Sequence, residues 1–204
     1  MFENLTSIII AFITGVIGPI LIIYIKNRLE SKKAKPDMVM DTLRVSELVN
    51  QRIDHIKEEF NADRVWISQF HNGGNFYPTG RSMAKFSIMY ESVGPNVGSV
   101  QTNFKNIPVN LFSRSINELL QNDVIEIPDF KDEKTATYGL KYVAEESGCK
   151  SAYLFAIKTI EDKFIGVLSI EYTKRKKDLD IESINHLQVH SSSIGGVLMS
   201  YLKQ

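Results

Sequence analysis

The stretch that most restricts what this chain can fold into is CKSAYLFAIKTIEDKFIGVLSIEYT, from Cys149 to Thr173. Two β-rich runs, SAYLFAIKT and KFIGVLSIEYT, flank a polar turn at Glu161 and Asp162. Along the first run Ala152, Leu154, Ala156 and Lys158 fall on one side, and Tyr153, Phe155 and Ile157 on the other. Period-two patterning broken by a turn predicts two paired strands at the centre of a sheet. Gly166 stands inside the second strand, where a missing side chain marks a bulge or a close backbone approach.

At the other end, Thr6 to Ile25 gives twenty residues without a charge. At about 1.5 Å per residue that length reaches across a hydrocarbon core of roughly 30 Å. Gly15, Gly18 and Pro19 would weaken a soluble helix but are tolerated in a membrane span. A cleaved signal peptide needs its basic residues before the apolar run, and here they follow it. A buried helix of a soluble domain is the other reading, disfavoured by apolar residues on every face. The expectation is a transmembrane anchor at 1–26 that contacts the lipid bilayer through residues 6–25, followed by a basic juxtamembrane linker at 27–36. Residues 1–35 hold five basic residues (Lys26, Arg28, Lys32, Lys33, Lys35) against Glu3 and Glu30, a net charge of +3. The positive-inside tendency then puts the N-terminus outside and the rest of the chain in the cytoplasm.

The whole chain has no net charge, so the remainder carries −3 and offers no general attraction to nucleic acid. A single cysteine, Cys149, excludes an internal disulfide and fits a reducing compartment. From Asp41 to Phe60 the residues Val45, Leu48, Val49, Ile53 and Ile56 recur at helical spacing. Val65 to Phe70 and Lys85 to Val93 alternate as strands, joined by HNGGNFYPTGRS. That joining segment reads as a loop. Turn chemistry alone accounts for Asn72-Gly73-Gly74, Pro78 and Gly80. The functional reading makes it a ligand-binding rim offering His71, Asn72, Asn75, Tyr77 and Arg81. A helix over 106–121 with Pro108 in its first turn, a strand at Val124–Asp129, a helix over 138–147 and a last helix from Ile181 complete the order.

In that order, residues 40–204 resemble a GAF domain, the sensory relative of the PAS fold. The resemblance is carried by YGLKYVAEESGCKSAYLFAIKTIEDKFIGVLSIEYT, with Gly148, Ser151, Ile165, Gly166, Val167 and Leu168 at the family's positions. Ile125 to Asp129 is similar to its strand ending in aspartate. The resemblance implies an α+β fold: a central antiparallel sheet of about six strands with helices packed on it, spanning 37–204 with its flanking helices. It also implies a small-molecule pocket on one face, with Phe70, Phe86, Tyr90, Phe130, Tyr138 and Tyr153 as further lining candidates. In such proteins the first and last helices commonly join into a dimer bundle, here residues 41–60 and 181–202. Packing of both helices on their own sheet is the equal alternative.

The departures bear on ligand and chemistry. FKDE at Phe130–Glu133 echoes the cyclic-nucleotide signature with the wrong internal spacing. Nothing marks Cys149 for pigment attachment, and one thiol cannot run a methionine-sulfoxide-reducing cycle. No nucleophile elbow or P-loop is present, so no catalytic residue and no enzyme activity is expected. His186 and His190, four apart on the last helix, can share a metal. With no third ligand of obvious spacing they read as a polar helix face, and no metal site is expected. The expected function is a membrane-anchored cytoplasmic sensory module signalling through its flanking helices or a partner. A non-enzymatic adaptor assembling at the membrane without ligand is the alternative, and no ligand is identified.

Overall fold

The computed structural model describes residues 6, 11–30, 37–132 and 140–202. The chain divides into two compact units, Met1–Met38 and Val39–Gln204. In the first, a π-helical stretch at Ile13–Ile17 runs into helix α1, Gly18–Glu30. The amide of Gly18 bonds the carbonyl of Ile13, five residues back, just before Pro19, which has no N–H to donate. The thirteen residues of α1 span only about 20 Å. No helix among the described residues is long and apolar enough to cross a membrane, so the expected transmembrane anchor is not supported. Residues 7–10 of that segment lie outside the described residues, and α1 continues through 27–30 where a linker was expected.

The second unit is α+β. Helix α2, Met38–Glu59, leads into a six-stranded antiparallel sheet. Its strands are β1 Arg64–Asn75, β2 Ser82–Val93, β3 Ile107–Pro108, β4 Val124–Ile127, β5 Ser151–Lys158 and β6 Phe164–Tyr172. Their spatial order is β3-β2-β1-β6-β5-β4, so the hairpin of β5 and β6 does lie in the interior of the sheet. Helices α3, Ser113–Asn122, and α4, Lys141–Glu146, belong to one face; α5, Ile181–Leu202, closes the chain on the other.

Each face follows from strand alternation. Val65, Ile67, Tyr153, Phe155, Ile157, Leu168, Ile170 and Tyr172 form one core with Val49, Ile53 and Ile56 of α2 and Leu187, Ile194 and Leu198 of α5. Most of the apolar stripe of each flanking helix is therefore spent on its own sheet, with Leu48 left exposed. Gly195 shows how close α5 comes: a Cβ there would lie 2.2 Å from the carbonyl oxygen of Lys158. The opposite face carries Ala152, Leu154, Val167, Ile125 and Ile127 beneath Leu119, Phe130 and Ala144.

Three sequence expectations shift. Half of the segment 71–82 is strand: β1 runs on to Asn75 and β2 starts at Ser82, leaving a turn closed by Phe76 N–H to Arg81 O at 2.8 Å. The helix expected from 106 starts at Ser113. Pro108 forces the residue before it into an extended conformation, and Ile107–Pro108 pairs with Phe86 and Lys85 as an edge strand. Described helix α4 starts at Lys141; residues 133–139, Tyr138 among them, lie outside the described residues.

Among the described glycines Gly166 makes the closest approach. It pairs with both Gln69 and Ile157, beside a register shift in β5–β6, and a Cβ would lie 2.1 Å from the carbonyl oxygen of Ser68. Backbone cannot step aside as a side-chain tip can, so overpacking here separates β1 from β6. Gly166→Ala is expected to lower the unfolding free energy by about 3 kcal/mol. Gly196→Ala, at an exposed helical position with open space around the new Cβ, is expected to gain up to about 1 kcal/mol. Urea denaturation of both variants checks the contrast.

Candidate functional site: a cavity on a buried ion-pair floor

The sheet face away from α2 and α5 holds a partly open cavity of about 50 Å³. Its walls are almost wholly apolar: Trp66, Phe86, Ile88 and Leu154 from the sheet, Val100, Phe104 and Phe112 from the β2–α3 connection, and Phe130, Val143 and Ala144 beyond β4. A volume of that size admits a few waters, since about 10–15 Å³ suffices for one, and falls well short of the roughly 300 Å³ at which drug-sized pockets begin. It adjoins two larger clefts. One, of about 660 Å³, shares Val100, Phe104, Phe112, Val143 and Ser147 with it. The other, of about 740 Å³, shares Phe130, Ala144 and Cys149 and is rimmed by Lys131, Lys150, Lys174, Arg175 and Lys176. Asp129 and Glu145 are the acids on that rim, and Lys176 is paired with Asp129.

Glu171 lines this cavity and Arg64 the adjoining cleft of about 660 Å³, and the two form a charge pair that local sequence patterns do not announce. Arg64 opens β1 and Glu171 lies near the end of β6, directly opposite in register. The Nε of Arg64 donates to Glu171 Oε2 at 2.7 Å, and its Nη2 donates to the same oxygen. The other carboxylate oxygen accepts the Trp66 indole N–H at 2.6 Å and the Ser169 hydroxyl at 3.4 Å. Arg64 is 1% exposed and Glu171 8%. The third arm of the guanidinium, Nη1, reaches the carbonyl of Gly98 at 2.8 Å and so holds the loop whose Val100 and Phe104 wall the cavity. Glu91 pins the same loop, accepting from the Ser99 hydroxyl and from the Val100 amide at 2.8 Å. Charge pairing, strand register and the pocket wall are thus one structure.

The residues expected from sequence divide sharply. Phe86 and Phe130 line the cavity. Phe70 shares their face but stacks edge-on against Phe164 at 4.8 Å, away from the cavity lining. His71 bonds the Ser87 hydroxyl at 2.9 Å, while Asn72, Asn75, Tyr77 and Arg81 are exposed on the extended hairpin, Tyr77 at 97%. Tyr90 and Tyr153 lie on the opposite face, packed with the α2–α5 core. A bulge explains Tyr90: Ile67 pairs with Tyr90 and Ser68 with Ile88, so Met89 is the extra residue that reverses the alternation. The Tyr153 hydroxyl is committed to Lys177 O and the Leu179 amide, both at 3.0 Å. Tyr138 is outside the described residues.

Cys149 meets the cavity through a buried sulfur. Burial, with the Glu171 carboxylate adding to it, pushes the thiol far above its ordinary range, so thiolate chemistry is suppressed.

No family model matches the chain, and no curated protein matches it in sequence. Solved structures match it in three dimensions. A far-red cyanobacteriochrome photoreceptor superposes with a TM-score of 0.61 at 16% identity, over 91% of this chain and 99% of that one. The blue-light-absorbing form of the Thermosynechococcus elongatus PixJ GAF domain gives 0.63 at 14%, over 80% of this chain and 91% of that one. A phycocyanobilin-bound GAF domain from a cyanobacterial phytochrome gives 0.56 at 16%, over 84% and 99%. At such identities the likeness is one of fold, and the fold is that of GAF domains.

Removing one member of a buried ion pair strands the other, at a cost of about 3–5 kcal/mol, whereas replacing both with apolar groups is far milder. Arg64→Met is therefore expected to destabilise by about that amount, and Arg64→Met/Glu171→Leu by much less, in chemical denaturation. A native chain is also expected to leave Cys149 unreacted toward a thiol reagent at pH 8, with full reaction on unfolding.

Proposed function

We propose that this chain is a GAF-like sensory module that binds a small amphipathic anion on the sheet face bearing the cavity. The observation that carries this reading is the junction of an apolar cavity with a cleft rimmed by five basic side chains. Such a junction suits a ligand with a compact apolar body and a carboxylate or phosphate. Solved neighbours named as photoreceptors, one of them phycocyanobilin-bound, support a ligand-binding use of the fold. A bilin itself fits poorly here, because the cavity is about 50 Å³ and the Cys149 thiol is buried and protonated. The reading includes no catalytic step. Ligand entry would bear on Val100 and Phe104, and through Gly98 on Arg64 and the strands that carry α2 and α5.

Two further parts belong to the reading. The apolar N-terminal segment would hold the module at a membrane with its C-terminal unit on the cytoplasmic side. This is supported by exposed Ile20, Ile22, Ile23 and Tyr24 in α1 and by the basic residues that follow. Two copies would meet through 41–60 and 181–202, where Leu43, Leu48 and Val189 remain exposed after the helices have packed on the sheet. The small size of the cavity favours a second reading, an adaptor whose pocket is filled by its own side chains.

Thermal-shift and Trp66 fluorescence titrations with a panel of aromatic and aliphatic carboxylates and phosphates separate the two. The sensor reading expects a saturable shift, weakened about tenfold or more when Lys174, Arg175 and Lys176 are replaced by glutamine. No shift with any compound, together with an intact dimer in sedimentation, would establish the adaptor instead. Release of the full chain from membranes by alkaline carbonate would contradict the anchoring.

A further inference from the structure

Three of the four histidines of the chain gather where α2 ends against α5. Glu59, in the last turn of α2, points one carboxylate oxygen at His186 Nδ1, 3.1 Å away, and the other at His190 Nε2, 3.3 Å away. His55, one turn earlier on α2, brings its Nε2 to 3.6 Å from Glu59. The ligand atoms of Glu59, His186 and His190 all lie within 4.8 Å of one another. The spacing is the reason: His55 with Glu59, and His186 with His190, are each four residues apart, so each helix presents two donors on one face.

We propose that Glu59, His186 and His190 form a binding site for a divalent transition-metal ion of the zinc class, which clamps α2 to α5. Ligands at 2.0–2.1 Å from a tetrahedral zinc stand about 3.3 Å apart, and here each imidazole nitrogen is 3.1 or 3.3 Å from its own Glu59 oxygen with the three ligand atoms within 4.8 Å of one another. His190 Nε2 is buried and, although 3.3 Å from a Glu59 oxygen, meets it outside hydrogen-bond geometry. The two α5 imidazole rings are 4.7 Å apart at 34°, side by side, so that both can address one point. Imidazole donors select zinc, copper or nickel over magnesium and calcium. The adjoining groove is acidic, with Asp178, Asp180 and Glu182 against the single cation Lys177. His55 or a water supplies the fourth position.

The experiment is zinc titration of the chelator-treated full-length chain by calorimetry, with cobalt substitution read by visible absorption. One zinc per chain is expected, with cobalt bands of low-coordinate nitrogen–oxygen ligation and no thiolate charge-transfer band. Loss of outer-shell partners alone costs a metal site about 10–100-fold, so His186→Ala, His190→Ala and Glu59→Gln should each weaken binding at least about a hundredfold. His71→Ala, at the one histidine outside the cluster, should leave binding unchanged. The half-exposed His186→Ala variant should keep the metal-free Tm of the parent, which separates lost ligation from lost folding. Zinc that binds equally well without His186 and His190, a thiolate band from Cys149, or no zinc bound at low-micromolar free metal would each overturn the site and leave histidine–carboxylate ion pairs only.

Discussion

The Arg64–Glu171 pair is the constraint on which the rest of the cavity side depends. Two unlike charges out of water are tolerated only when they are well partnered, and here each nitrogen and oxygen of the pair has a partner: Nε and Nη2 go to one carboxylate oxygen, Nη1 to Gly98, and the other oxygen to Trp66 and Ser169. The pair joins register partners across the antiparallel β1–β6 ladder. It also tethers the loop that walls the cavity. The same guanidinium thus bonds both the sheet, at Glu171, and the wall, at Gly98.

The two faces of the sheet divide the labour. On one, the stripes of α2 and α5 bury Val49, Ile53, Ile56, Leu187, Ile194 and Leu198 against aromatic and β-branched strand residues, which supplies most of the apolar burial. On the other, small Ala152 and the missing contacts over Leu154 and Phe86 leave room near the buried pair. Sensing and signalling would thus occupy opposite sides of one sheet, joined by strands only one residue thick. A metal bound between α2 and α5 would act on the helix side, independently of anything in the cavity.

Much of this was legible in the sequence, for physical reasons that also explain what was not. The β5–β6 hairpin declared itself by strict alternation, and the flanking helices by stripes at helical spacing, because those periods are set by the elements themselves. Gly166 was legible as a close approach. The long β1–β2 hairpin was not, since Gly73 and Gly74 lower strand propensity and the pairing of Asn72 with Ala84 is visible only in the fold. Tyr90 changed face through a bulge at Met89 that leaves no mark in composition. Arg64 and Glu171 are far apart in the chain, and the available signal was subtle: one charge of each sign inside otherwise apolar strand runs, RVWIS and SIEYT. Glu59 likewise joined His186 and His190 only through tertiary packing.

Trp66 is the only tryptophan of the chain, and its indole N–H is held by Glu171. That makes it a single-site report on whether the buried ion pair beside the cavity is shielded from water. Hydrogen exchange of the indole N–H, followed by NMR, measures it directly. One indole resonance is expected, its exchange slowed by orders of magnitude relative to free indole and restored to near that rate by Glu171→Ala. Exchange at the free-indole rate in the native chain would show that the pair is open to water and would contradict this shielding.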